Sequence, residues 1–295
     1  MNLSKRRIAA VGAIIAVVGA ILLFGGYRYH RGASLWQPID MDFWVRHLKG
    51  YDNFDPEGMM LFHGNPKYHE VALTIDDGPH QIYGMPILHV LAQKQVPATF
   101  FVVGIRVKQE PDQIRQMIAQ GDEIGNHTYD HQRLNTLKPD AIASELRLDD
   151  DAIYLASGIH SHIMRPPGVR FDNKVLDVAT SLHYITVNWT NAARDYEAQT
   201  PDYIVKHVVD STVNGSIILL HQDNPYTAIA MPRIIDALKE RGFRFVTIST
   251  MLAHLGVQPY AKLDARARAK MPGQVPVITN GSHYYEAAPQ AVPAH

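Results

Sequence analysis

The chain reads as an α/β protein: a distorted seven-stranded (β/α) barrel over residues 70–256, preceded by an N-terminal transmembrane helix. Three observations lead there. Short apolar, β-branched runs alternate with longer stretches of helical spacing, which predicts a parallel sheet covered by helices. Seven such runs suit a closed or nearly closed barrel. Ahead of them, the uncharged apolar run from Ile8 to Gly26 is about long enough to cross a hydrocarbon core as a helix.

The predicted strands are 71–75, 98–103, 123–127, 162–166, 184–189, 216–221 and 244–248. Between them the spacing predicts helices over 85–95, 108–119, 139–156, 173–181, 201–213 and 228–241. Residues 32–69 hold no sustained period and read as a membrane-proximal connector. Its aromatics Trp36, Phe43, Trp44, Tyr51 and Phe54 suit either the bilayer interface or packing on the main body. After about residue 256 the rhythm stops. Pro259, Pro272, Pro276, Pro289 and Pro293 break up an alanine-rich tail, 257–295, which is expected to be disordered.

Lys5, Arg6 and Arg7 precede the apolar run and favour a cytoplasmic N-terminus. Cleavage near Gly26 or Ala33 would put Phe24 or Arg31 where a small residue is needed. Residues 1–31 are therefore expected to be a cytoplasmic stub and uncleaved signal anchor. The protein would be single-pass, with its catalytic domain periplasmic or extracellular.

With 46% hydrophobic residues, the 295-residue chain can bury one large core. A net charge of −1 lacks the basic footprint of a nucleic-acid binder. The absence of cysteine excludes disulfides and thiolate metal ligands. Composition does not address oligomeric state.

The chemistry concentrates at strand ends. His127 and His131 bracket His127-Thr128-Tyr129-Asp130-His131, and Asp76-Asp77-Gly78-Pro79 closes the first strand. Two neutral imidazoles and one carboxylate make a three-ligand metal set with a position left for water. The other carboxylate is then free to act as a base. Gly78 and Pro79 are expected to turn the chain so that both carboxylates face one pocket. Arg165-Pro166-Pro167-Gly168 and Leu219-Leu220-His221 end two further runs.

These motifs, T-x-D-D-G-P, H-[ST]-x-[DE]-H, R-P-P and L-x-H in that order, resemble the polysaccharide deacetylases, carbohydrate esterase family four. The resemblance spans roughly residues 70–255. It implies Asp77, His127 and His131 as ligands of one divalent ion, zinc or else cobalt or nickel. It implies Asp76 as general base and His221 as general acid, with Arg165 paired to Asp76 and Asp195 to His221. Gly168, Tyr196 and Leu219 fall at its substrate-binding positions.

Two departures bear on substrate range. No aromatic follows Arg165-Pro166-Pro167; Gly168 can still supply a backbone amide, and Phe171 is the candidate replacement ring. The family's Asp-Trp pair reads Asp195-Tyr196, which would line an acetyl pocket with a smaller ring and a hydroxyl. The expected activity is metal-dependent removal of N-acetyl groups from the amino sugars of a glycan, whether peptidoglycan, chitooligosaccharide or exopolysaccharide. The alternatives are a deacetylase or deformylase of a lipid-linked sugar, and a catalytically impaired glycan-binding module.

Overall fold

The computed structural model describes residues 53–56 and 59–257. Its elements begin with strands β1 (Phe54–Asp55), β2 (Met60–Leu61) and β3 (Glu70–Gly78). Helix α1 (Gly84–Lys94), β4 (Thr99–Val102), α2 (Gly104–Gln109), α3 (Pro111–Gln120) and β5 (Glu123–Asn126) follow. Next come α4 (Pro139–Ser157), β6 (Ile163–Met164), α5 (Asn173–Ser181), β7 (Ile185–Val187) and β8 (Asn191–Ala192). The last are α6 (Pro201–Ser211), β9 (Ile217–His221), α7 (Pro225–Glu240), β10 (Arg244–Val246) and α8 (Ile248–His254).

β3 is buried along its whole length, and its alternation sorts the two faces of the sheet. Val71, Leu73 and Ile75 join the cluster formed with the helices, including Leu88 and Leu91 of α1 and Ile234 and Leu238 of α7. Each such side chain contributes about 1.5–3 kcal/mol by leaving water. Ala72 points the other way, into a smaller cluster with Phe101, Ile217 and Val246. Thr74 and Asp76 share that inner face by the same two-residue period.

The α/β reading and the barrel-like curl hold, with a correction to the strand count. The sheet has ten strands in the order β1-β2-β7-β6-β5-β4-β3-β9-β8, with β10 on β3, rather than the seven of the expected distorted barrel. All pairs are parallel except β1–β2. The ends of that path, β1 and β8, do not pair, so the curled sheet stays open. The three added strands are two residues each, too short to show a period. Two of them come from the stretch expected to be a connector: β2 pairs with β7, and Phe54 packs on the inner cluster.

The helix expected over 108–119 is two. Pro111 has no amide hydrogen and its ring clashes with the preceding turn, so α2 ends at Gln109 and α3 starts afresh at Pro111. The strand expected over 244–248 stops at Val246, and Ile248 opens α8. Its Ile248, Met251 and Leu252 instead pack on the inner face and close the floor of the curl. Beneath them Glu123 is buried and accepts from the Ser249 amide at 3.1 Å and the Thr99 hydroxyl at 2.9 Å.

Among the described residues no helix is long and apolar enough to cross a membrane. The candidate span Ile8–Gly26 and the tail from residue 258 lie outside them.

Candidate active site

Adjacent residues of a regular strand point to opposite faces, yet Asp76 and Asp77 serve one site. The register of β3 against β4 slips between Asp76 and Gly78, leaving Asp77 as the bulged residue with φ 64°. A bulge re-aims a side chain in this way, and aspartate tolerates the left-handed region better than most residues. The bulge therefore does what the sequence reading assigned to the Gly78-Pro79 turn.

Asp77 Oδ1 is buried with no hydrogen-bond donor aimed at it. It lies 3.0 Å from His131 Nε2 and 3.4 Å from His127 Nε2. Two tetrahedral donors each about 2.0–2.1 Å from one zinc ion sit about 3.3 Å apart, so the three atoms fit a single cation. Asp77, His127 and His131 are the metal-competent cluster among the described residues. Burial pushes the Asp77 carboxyl up, but the two imidazoles, when protonated and with no cation between them and the carboxylate, outweigh it and hold the group far below the usual carboxylate range.

The loop after β5 brings the two histidines together without a helix, through positive φ at Thr128 (69°) and His131 (64°). Two carboxylates of α4, one helical turn apart, brace it. Asp149 Oδ2 accepts from the His127 amide at 2.9 Å, and Glu145 Oε2 from the Tyr129 and Asp130 amides at 3.1 Å. Burial pushes the Asp149 carboxyl well up against that amide. His127 Nδ1 sits 2.6 Å from the Arg165 carbonyl oxygen. That contact requires a proton on Nδ1 and leaves the Nε2 lone pair facing Asp77.

Arg165, fully buried, donates from Nη1 to Asp76 Oδ1 at 2.7 Å and to the Thr74 hydroxyl at 2.9 Å. Its other nitrogens reach the Val187 and Asn188 carbonyls, and the guanidinium lies 4.2 Å over the Phe101 ring. Gly125 makes room for that ring, because a Cβ there would overlap it.

Asp76 and His221 are register partners on β3 and β9. Asp195 takes His221 from two sides: Oδ1 is 2.8 Å from Nδ1, and Oδ2 accepts the His221 amide at 2.7 Å. Burial lowers the His221 pKa, but the Asp195 hydrogen bond and charge more than reverse this and raise it above 6.5. Leu219 is buried two residues earlier on the same face of β9.

The remaining predicted positions fall less simply. Gly168 sits exposed in the 3-10 turn Pro167–Val169 with φ 60°. Phe171 does not replace the missing aromatic; it packs with Met60, Phe62 and Leu176. The Tyr196 ring lies tilted by 43° against His221 with centroids 4.3 Å apart, while its hydroxyl contacts Asp77 Oδ2 at 2.8 Å and Asp223 Oδ1 at 2.5 Å. Burial and the neighbouring carboxylates push that phenol far above its ordinary pKa. Arg106 bonds the Asp77 carbonyl and approaches Asp223 Oδ2 at 3.4 Å. Sequence reading missed Arg106 and Asp223. Their one signal is position: each lies just past the C-terminal end of a strand, the rim that carries such sites.

A cation-ready Asp-His-His cluster, a buried carboxylate held by arginine and a histidine held by aspartate occupy one rim of a curled α/β sheet. That combination defines the class, a hydrolase site. The sequence profile of the polysaccharide deacetylases matches residues 63–187. Over 189 residues the chain is 34% identical to a peptidoglycan-N-acetylglucosamine deacetylase of Bacillus cereus, covering 62% of this chain and 88% of the relative. It is 37% identical over 188 residues to a chitooligosaccharide deacetylase of Sinorhizobium fredii, covering 59% and 87%. The crystal structure of a peptidoglycan N-acetylglucosamine deacetylase bound to 4-naphthalen-1-yl-N-oxidanyl-benzamide superposes with a TM-score of 0.65 at 29% identity, covering 73% of this chain and 97% of that one. The chain belongs to the polysaccharide deacetylase family and is an enzyme of that family.

Proposed function

We propose that the protein hydrolyses the N-acetyl groups of amino-sugar residues in peptidoglycan or a chitooligosaccharide. The observation that carries the reading is the placement of Asp77 Oδ1 against both imidazoles, with Asp76 and His221 beside it on neighbouring strands.

Asp77, His127 and His131 hold one divalent cation, which when bound polarises the acetyl carbonyl and acidifies water. Zinc suits the donor set, and cobalt or nickel can replace it. Asp76, paired with Arg165, takes the proton from the attacking water. The Gly168 amide faces the developing negative charge on the acetyl oxygen, and Tyr196 and Leu219 line the cleft. His221, oriented through Nδ1 by Asp195, gives the Nε2 proton to the sugar nitrogen as the carbon–nitrogen bond breaks. The products are acetate and a free amino sugar. The chain is held to a membrane by Ile8–Gly26 with the enzyme outside the cytoplasm, a reading supported by the length of that run and the cations before it.

Acetate release by the purified chain from defined chitooligosaccharides and peptidoglycan fragments tests this. Release from either supports the reading. No release from any of them, in metal-supplemented buffer, removes it.

A further inference from the structure

The metal carboxylate has two oxygens, and only one faces the imidazoles. Asp77 Oδ1 points at His127 and His131, while Oδ2 meets the Tyr196 hydroxyl at 2.8 Å. Among the described residues the phenol is the one side-chain donor to that oxygen. Tyr196 is itself held from behind, since Asp223 Oδ1 lies 2.5 Å from the same hydroxyl. A phenol has a single proton for two carboxylates. Arg106 weakens Asp223 as the competing acceptor: both its terminal nitrogens lie 3.4 Å from Asp223 Oδ2 and offset that charge, and Nη1 also bonds the Asp77 carbonyl. The bulge at Asp77 is thus gripped at its backbone and at its outer oxygen by two linked contacts.

We infer that Tyr196, Asp223 and Arg106 form a positioning network that keeps Asp77 a single-oxygen ligand. The inference rests on the metal reading above. Its physical content is that Oδ2, satisfied by the phenol, is kept from swinging onto the cation and taking the place a reactant needs. Partners behind a ligand orient it and tune its affinity in this way.

The test uses the full chain in detergent, loaded with Co(II). Tyr196→Phe removes the hydroxyl and keeps the ring over His221. It is expected to weaken Co(II) binding about 10–100-fold in chelator competition. It should also change the visible d–d bands, as a second carboxylate oxygen enters the coordination sphere. Tyr196 is 57% exposed but its hydroxyl satisfies an oxygen of buried Asp77, so thermal unfolding of the metal-free variant is measured alongside to separate lost stability from lost affinity. Asp223→Ala should shift affinity and spectrum the same way, and Asp223→Asn, whose amide N–H can donate to the phenol oxygen and leave the phenol proton for Asp77, should restore most of both. Unchanged affinity and spectrum in Tyr196→Phe overturn this inference and leave the metal reading standing. Failure of the unaltered chain to bind Co(II) removes the metal reading, and this inference with it.

Discussion

Arg165 touches the site twice: its carbonyl oxygen is 2.6 Å from His127 Nδ1, and its guanidinium is 2.7 Å from Asp76 Oδ1. One residue at the end of β6 therefore sets the tautomer of His127 and neutralises the buried Asp76 carboxylate. The backbone contact survives any side-chain substitution, so the two roles can be separated.

Arg165→Met is expected to destabilise the protein by about 3–5 kcal/mol, because it strands the buried Asp76 charge. Urea unfolding measures this. Arg165→Lys should recover only part of the loss, since an ammonium cannot also reach the Val187 and Asn188 carbonyls. Full recovery by lysine would mean that charge alone matters there.

Asp76→Asn should retain the metal and lose turnover by about 10²–10⁴-fold, because the ligands stay while the base is gone. Metal content and kcat, measured on the same sample, check it. Loss of metal from this variant would make Asp76 a ligand and reverse the two aspartate roles.

How far this site was legible depended on how local its signals are. The strand–helix alternation and the motif order depend on neighbours in sequence, and they located Asp76, Asp77, His127, Arg165 and His221 at strand ends. β1, β2 and β8 are too short to carry a pattern. The convergence of Asp76 and Asp77 comes from a bulge, which is a property of pairing with β4 and invisible in one strand read alone. Arg106 and Asp223 are ordinary charged residues until the sheet brings Arg106 to the Asp77 carbonyl and Asp223 to the Tyr196 hydroxyl. Phe171 shows the reverse failure: an aromatic at a plausible spacing is drawn into an apolar cluster instead of the cleft.

The purified full chain should hold about one divalent ion, and chelation should abolish activity, with zinc or cobalt restoring it. Asp77→Ala and His131→Ala should each lose the ion. His131 is the more exposed of the two imidazoles, so its variant should remain folded by circular dichroism. Full activity in metal-free protein would exclude this chemistry.

Ile8–Gly26 should keep the protein in membranes after a high-salt wash, and an alkaline phosphatase fusion after residue 256 should be active. The apolar length and Lys5-Arg6-Arg7 motivate both expectations. A processed, freely soluble product beginning near residue 34 would show a cleaved signal instead, with the hydrolase reading unaffected.

The pH profile isolates His221. As general acid it must carry a proton, so kcat/KM should fall as pH rises through its pKa. That pKa is raised above 6.5 because the Asp195 hydrogen bond and charge outweigh burial, which places the alkaline limb above 6.5. Asp195→Asn keeps a similar shape and removes the charge. The protonated imidazole then loses its partner while burial still opposes it, so the limb should move to lower pH. The same variant should reduce turnover at neutral pH by more than at acidic pH, where the imidazole is more fully protonated. Asp195 also accepts the His221 amide and the Thr227 hydroxyl, so thermal unfolding must accompany the kinetics. A limb that stays in place while stability falls would show that Asp195 braces the loop and does not tune the acid.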